Sequence, residues 1–171
     1  MSMKKRLQGQ LRHARGFSDG LLSSFTTPEQ WTHQVHPAAN HALWFAGHMG
    51  VVDNSMIRML APKRGEKRPD YQEKFGMGST PSADSENYPP VAEVLDFMRE
   101  RRQTLLEVLD SLSDEDIDKP TPKGAPDFLP DVGSVFELVA WHEGLHSGQV
   151  TVARRALGNT PLSEQKQRAK T

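Results

Sequence analysis

Two histidines four residues apart, in the run Trp141-His142-Glu143-Gly144-Leu145-His146, are the side chains best spaced for chemistry in this 171-residue chain. On an α-helix a four-residue step is about one turn, so both imidazoles project from one face and can grip a single divalent cation. A third ligand from another helix would give three protein ligands and leave one coordination position open. That is the ligand count of a catalytic zinc-type centre, not of a structural one. His48 is the candidate third ligand, because it falls on the core-facing phase of an earlier helix. The chain has no cysteine, so thiolate ligation, a cysteine nucleophile and disulfides are excluded. Any metal must be held by nitrogen and oxygen. The plainer alternative is that all three are hydrogen-bonded core histidines.

Other residues near these positions have candidate roles. Glu143 lies about 100° round the helix from His142. Its long side chain could act as a general base at the open position, or it could be a solvated or interhelical charge. Gln149, one turn beyond His146, could line the pocket and hydrogen-bond a ligand or a liganding ring. His41 and Trp44, two turns and one turn before His48, could line a pocket wall, with His41 the nearest candidate for a fourth ligand and Trp44 also explicable as core packing. His13, His33 and His36 have no partner spacing, although His36 precedes Pro37 near a possible site entrance. His142 to His146 also matches the His-Glu-x-x-His signature of zinc metalloproteases. The context argues against that reading: Ser147-Gly148-Gln149-Val150 lacks the extension those enzymes need, only Glu164 lies downstream, and no strand is visible to bind a peptide.

Four amphipathic segments must position these residues. The first spans about Lys4 to Phe25, with Leu7, Leu11, Ala14, Leu21 and Leu22 on its stripe. Thr27-Pro28 then starts a short helical turn. The second segment runs from about Ala38 to Leu60. The third follows Pro89-Pro90, and its stripe from Val91 to Leu112 is interrupted by Arg101 and Arg102. A capped turn begins at Ser113. The fourth spans about Ser134 to Leu157 and ends at Gly158. Residues 61–88 and 119–131 read as irregular, rich in Pro and Gly; connections this long in a compact domain commonly carry function. No β-alternating run appears. The pattern predicts an all-α fold, a four-helix bundle over residues 1–162, with a polar tail at 163–171.

Composition narrows the partners. There are 21 Lys and Arg against 22 Asp and Glu, a net charge of −1, which favours neither nucleic acid nor an anionic membrane. The N-terminus lacks the apolar run of a signal peptide, and no stretch reaches the ~20 apolar residues of a membrane span. A cytoplasmic protein acting on a small molecule is the simplest expectation.

As a set, these motifs resemble the DinB-like superfamily. They are Asn40-His41-Ala42-Leu43-Trp44-Phe45-Ala46-Gly47-His48, then His142-x-x-x-His146 followed by Ser147-Gly148-Gln149, then Arg154-Arg155-Ala156-Leu157-Gly158. The likeness runs from about Leu7 to Pro161. It implies a bundle of up-down-down-up connectivity, frequent homodimers, and a divalent metal, often zinc or nickel, on three histidines that carry over to His48, His142 and His146. Relatives include transferases and isomerases that use a low-molecular-weight thiol such as bacillithiol, mycothiol or glutathione, and others described as metal-dependent hydrolases. Three readings follow: a thiol-dependent transferase, a hydrolase, or a non-enzymatic bundle tied together by its metal.

Overall fold

The computed structural model describes residues 1–164. Of the polar tail expected at 163–171, residues 165–171 lie outside the described residues. The elements are α1 (Met3–Leu22), α2 (Pro28–Trp31), α3 (Ala42–Leu60), α4 (Pro69–Phe75), α5 (Val91–Ser111), α6 (Asp114–Ile117) and α7 (Val132–Ala156). Local chemistry sets their ends. The Thr27 hydroxyl caps α2, with Pro28 in its first turn. α6 and α7 each open on a reciprocal capping box, Ser113 with Asp116 and Asp131 with Ser134. The Asp131 cap starts α7 two residues before the expected Ser134. Gly158, at φ 83°, ends it: the Gly158 and Asn159 amides bond back to the carbonyls of Arg155 and Arg154.

Contacts along the four long helices fix their directions. Lys4 at the start of α1 donates to the carbonyls of Asp110 and Leu112 at the end of α5, so these two run antiparallel. Asp53 meets Arg102, and Arg64, just past α3, pairs with Glu107, so α3 and α5 run parallel. Ser18 bonds Ser147 and Ser24 bonds Arg154, so α1 and α7 are parallel. Asn40 reaches Gln149 and His48 reaches His142, so α3 and α7 are antiparallel. The result is an up-down-down-up bundle. Residues 61–90 carry the chain back between two parallel helices, which explains the length of that connection.

The apolar interior has two parts. One gathers Phe25, Trp31, Leu43, Phe45, Met49, Tyr71, Phe75 and Met98; the other gathers Leu7, Leu11, Ile57, Leu105, Leu109 and Phe136. Each fully buried Leu or Phe contributes about 1.5–3 kcal/mol of transfer free energy. A charged layer lies between the two parts. Arg15 of α1, Asp53 of α3, Arg102 of α5 and Glu143 of α7 form a closed ring of ion pairs, with contacts of 3.1, 2.9, 2.7 and 2.8 Å. Two cations and two anions cancel there, as buried charge requires. The guanidinium groups also donate to the carbonyls of Met98 and Leu11.

Candidate metal centre

α3 and α7 bring together the three histidines picked out by spacing. One ring nitrogen from each of His48, His142 and His146 lies within 4.8 Å of the others. Nε2 of His48 and Nε2 of His142 are 3.0 Å apart. The His48 Nδ1 lies 2.6 Å from the carbonyl oxygen of Phe75, and the His146 Nδ1 lies 2.8 Å from Gln149 Oε1. Both oxygens can only accept, so each Nδ1 carries the proton and each Nε2 keeps its lone pair. This is the arrangement that orients histidine ligands around a metal. Burial lowers the pKa of the His48 imidazole to about 4, aided by the two neighbouring rings, and burial also lowers those of His142 and His146. Three neutral imidazoles whose ring nitrogens converge suit a divalent cation. Among the described residues no fourth His, Asp or Glu joins the group.

The Phe75 carbonyl belongs to α4, within a stretch that reads as irregular in sequence. Pro69 in its first turn and Tyr71 and Phe75 one turn apart build this helix, and both aromatic rings are fully buried. Phe75 packs onto α3 at Gly47, beside His48. A Cβ at position 47 would stand 2.3 Å from that ring, so only glycine admits α4. Trp44 completes the support, stacked on His48 with centroids 4.4 Å apart and planes 15° apart.

The histidines open onto a cavity of about 750 Å³. Trp44, Val51, Val52, Met56 and Leu138 form much of its wall, and Asn40, Ser55, Gln72 and Ser79 supply uncharged polar groups. Met77, Phe128 and Trp141 stand at its edge, 94%, 69% and 62% exposed. Three different segments therefore place large apolar side chains in water around one opening. Among the described residues no Asp, Glu, Lys or Arg lines the cavity.

Three expectations need correction. Glu143 does not face the cavity. The core stripe of α7 runs through Phe136, Val139, Glu143, Ser147, Val150 and Arg154, leaving His142 and His146 at its margin against α3. The Glu143 carboxylate is fully buried, 2.8 Å from Arg15 Nε and 2.7 Å from Arg102 Nη1. Burial works to raise its pKa, but the two guanidinium groups hold it below the ordinary carboxylate range. It takes the interhelical role, not a general base's position. His41 neither lines the cavity nor offers a fourth ligand: its Nδ1 accepts from the Trp44 amide and caps α3, which is why that helix starts at Ala42 and not near Ala38, while Nε2 meets the Tyr88 hydroxyl at 3.2 Å. Gln149 holds the His146 ring, as its spacing suggested, and also accepts from Asn40, but it does not line the cavity wall. The remaining ring members, Arg15, Asp53 and Arg102, were not singled out from sequence as a unit. Their signal was the phase of Arg15 and Asp53 with the apolar stripes of α1 and α3, together with the break that Arg102 makes in the stripe of α5.

No described helix is long and apolar enough to cross a membrane. No curated protein matches the chain significantly. The family description "DinB superfamily" matches residues 10–150, a span that runs from within α1 through most of α7 and includes all three histidines of the cluster. With the crossed bundle and the histidine cluster between α3 and α7, this match shows that the chain belongs to the DinB superfamily.

Proposed function

We propose that this protein is a metal-dependent transferase that joins a low-molecular-weight thiol to an apolar electrophile, with zinc or nickel held by His48, His142 and His146. The observation that carries the reading is a cavity that ends on three neutral imidazoles and, among the described residues, has no charged side chain on its wall. When bound, the divalent ion supplies a Lewis acid that favours the thiolate form of a sulfur ligand at neutral pH. Sulfur activated this way needs no protein base. The runner-up, hydrolysis, is best served by a positioned base, and the one carboxylate next to a histidine in sequence, Glu143, is occupied by Arg15 and Arg102.

The chain's own groups bind and orient. Phe75 and Gln149 hold the rings of His48 and His146, and Trp44 stacks against His48 and walls the cavity. Met77, Phe128 and Trp141 offer apolar surface to an incoming electrophile and exclude water once it is seated. The test is a panel of thiols and electrophiles, followed by esters and amides, on metal-loaded protein. The reading expects turnover only when thiol is present. Ester or amide cleavage without thiol would replace it with hydrolysis.

A further inference from the structure

A second groove, of about 630 Å³, adjoins the histidine cavity and shares Ser55 with it. Its wall carries Arg58 from the last turns of α3, Lys67 from the connection that follows, and Lys123 from the 119–131 connection, and no acidic side chain among the described residues. Two carboxylates from the same part of the chain and from α5 are paired with other cations: Glu66 with Arg101 at 2.8 Å, and Glu107 with Arg64. Among the described residues none pairs with Arg58, Lys67 or Lys123. Three uncompensated cations around one concavity create a local positive potential on a chain whose net charge is −1.

The spacing relates the two compartments. Ser55 lies seven residues, about 10 Å of helix rise, beyond His48, and Arg58 lies ten residues, about 15 Å, beyond it. The same connections wall both spaces: residues 61–88 give Lys67 to one and Met77 to the other, and residues 119–131 give Lys123 to one and Phe128 to the other. We infer that the groove at Arg58, Lys67 and Lys123 is a carboxylate subsite, holding the anionic end of a ligand whose other end reaches the three histidines. The inference rests on the reading of those histidines as the reacting centre, and it adds a specificity: one of the two substrates carries a carboxylate about 10–15 Å from its reacting atom. The thiol and the electrophile are both possible bearers of that group.

The test compares a long ω-mercapto carboxylate with the ω-mercapto alcohol of the same chain length, each titrated calorimetrically into cobalt-loaded protein while the visible spectrum is followed. Exposed charge contacts are individually small, so the three together should favour the carboxylate by about tenfold. The preference should disappear in R58Q/K67Q/K123Q and at high salt, with affinity for the alcohol unchanged. A methyl-ended carboxylate of equal length separates the bearers: comparable affinity points to the electrophile, and weaker binding points to the thiol. Equal affinity for acid and alcohol, a preference that survives the triple substitution, or no binding of either would overturn the subsite. A carboxylate preference without any change in the cobalt spectrum would keep the subsite and remove the thiol-binding reading of the histidines.

Discussion

Replacing Glu143 by Gln separates the two roles a carboxylate at this position could play. The substitution keeps the shape of the side chain and removes its charge, leaving Arg15 and Arg102 with only Asp53 between them. At 2.8 Å from Arg15 Nε, an effective dielectric of about 20 gives an attraction of about 6 kcal/mol, and the Arg102 contact is of similar size. Most of this offsets the cost of taking the ions out of water. The measured loss on breaking such a buried pair is therefore about 3–5 kcal/mol, because an uncompensated cation remains inside. For a chain of this length that corresponds to a fall in Tm of about 10 °C. Urea unfolding of E143Q, with R102M and the double substitution E143Q/R102M completing a cycle, reads the coupling directly. The expected outcome is strong coupling between positions 102 and 143, with stoichiometric metal still bound by the folded E143Q protein. A variant as stable as the original but devoid of turnover would refute the structural role and restore Glu143 as the base.

Three further outcomes follow from the same geometry. Gly47→Ala should force Phe75 and its carbonyl away from α3, costing about 1–3 kcal/mol by overpacking and weakening metal binding at once; thermal unfolding and a competitive chelator titration read both, and unchanged metal affinity would separate Phe75 from the site. Gln149→Leu removes the acceptor for His146 Nδ1 and should lower metal affinity about 10- to 100-fold with Tm of the metal-free protein nearly unchanged, a contrast that calorimetry can check. Burial depresses the His41 pKa from 6.5 to about 4, so the unfolded chain takes up this proton more readily than the folded one. Stability should then be full above pH 6.5 and fall by about 3 kcal/mol as pH drops to about 4. His41→Asn keeps a capping oxygen for the Trp44 amide and should lose that pH-dependent part; an identical pH profile in the variant would contradict it.

The four long helices, most of their ends and the three-histidine cluster were legible in the sequence because each depends on local periodicity. His48, His142 and His146 converge because apolar stripes fix which faces of α3 and α7 meet, and stripes can be read one helix at a time. What was not legible depends on contacts between elements distant in the chain. Glu143 and His142 are adjacent, and either phase of α7 could have been central; the choice was made by Arg15 and Arg102, which wait in the core on two other helices. The acceptor for His48 is a backbone carbonyl on α4, and a carbonyl carries no residue-type signal. α4 itself is seven residues long, and its two buried aromatics were masked by flanking Pro and Gly. His41 was misplaced for a related reason: on a face diagram it lies two turns before His48, yet its ring is spent ending the helix.

Metal content and X-ray absorption of protein purified without a polyhistidine tag, alongside His48→Ala, His142→Ala, His146→Ala and His13→Ala, address the three imidazoles directly. The geometry of His48, His142 and His146 predicts one divalent ion per chain with three imidazole nitrogens and at least one exchangeable ligand, lost in the first three variants and kept in the fourth. A chain that binds no stoichiometric metal, or that holds it equally well in all four variants, would contradict it.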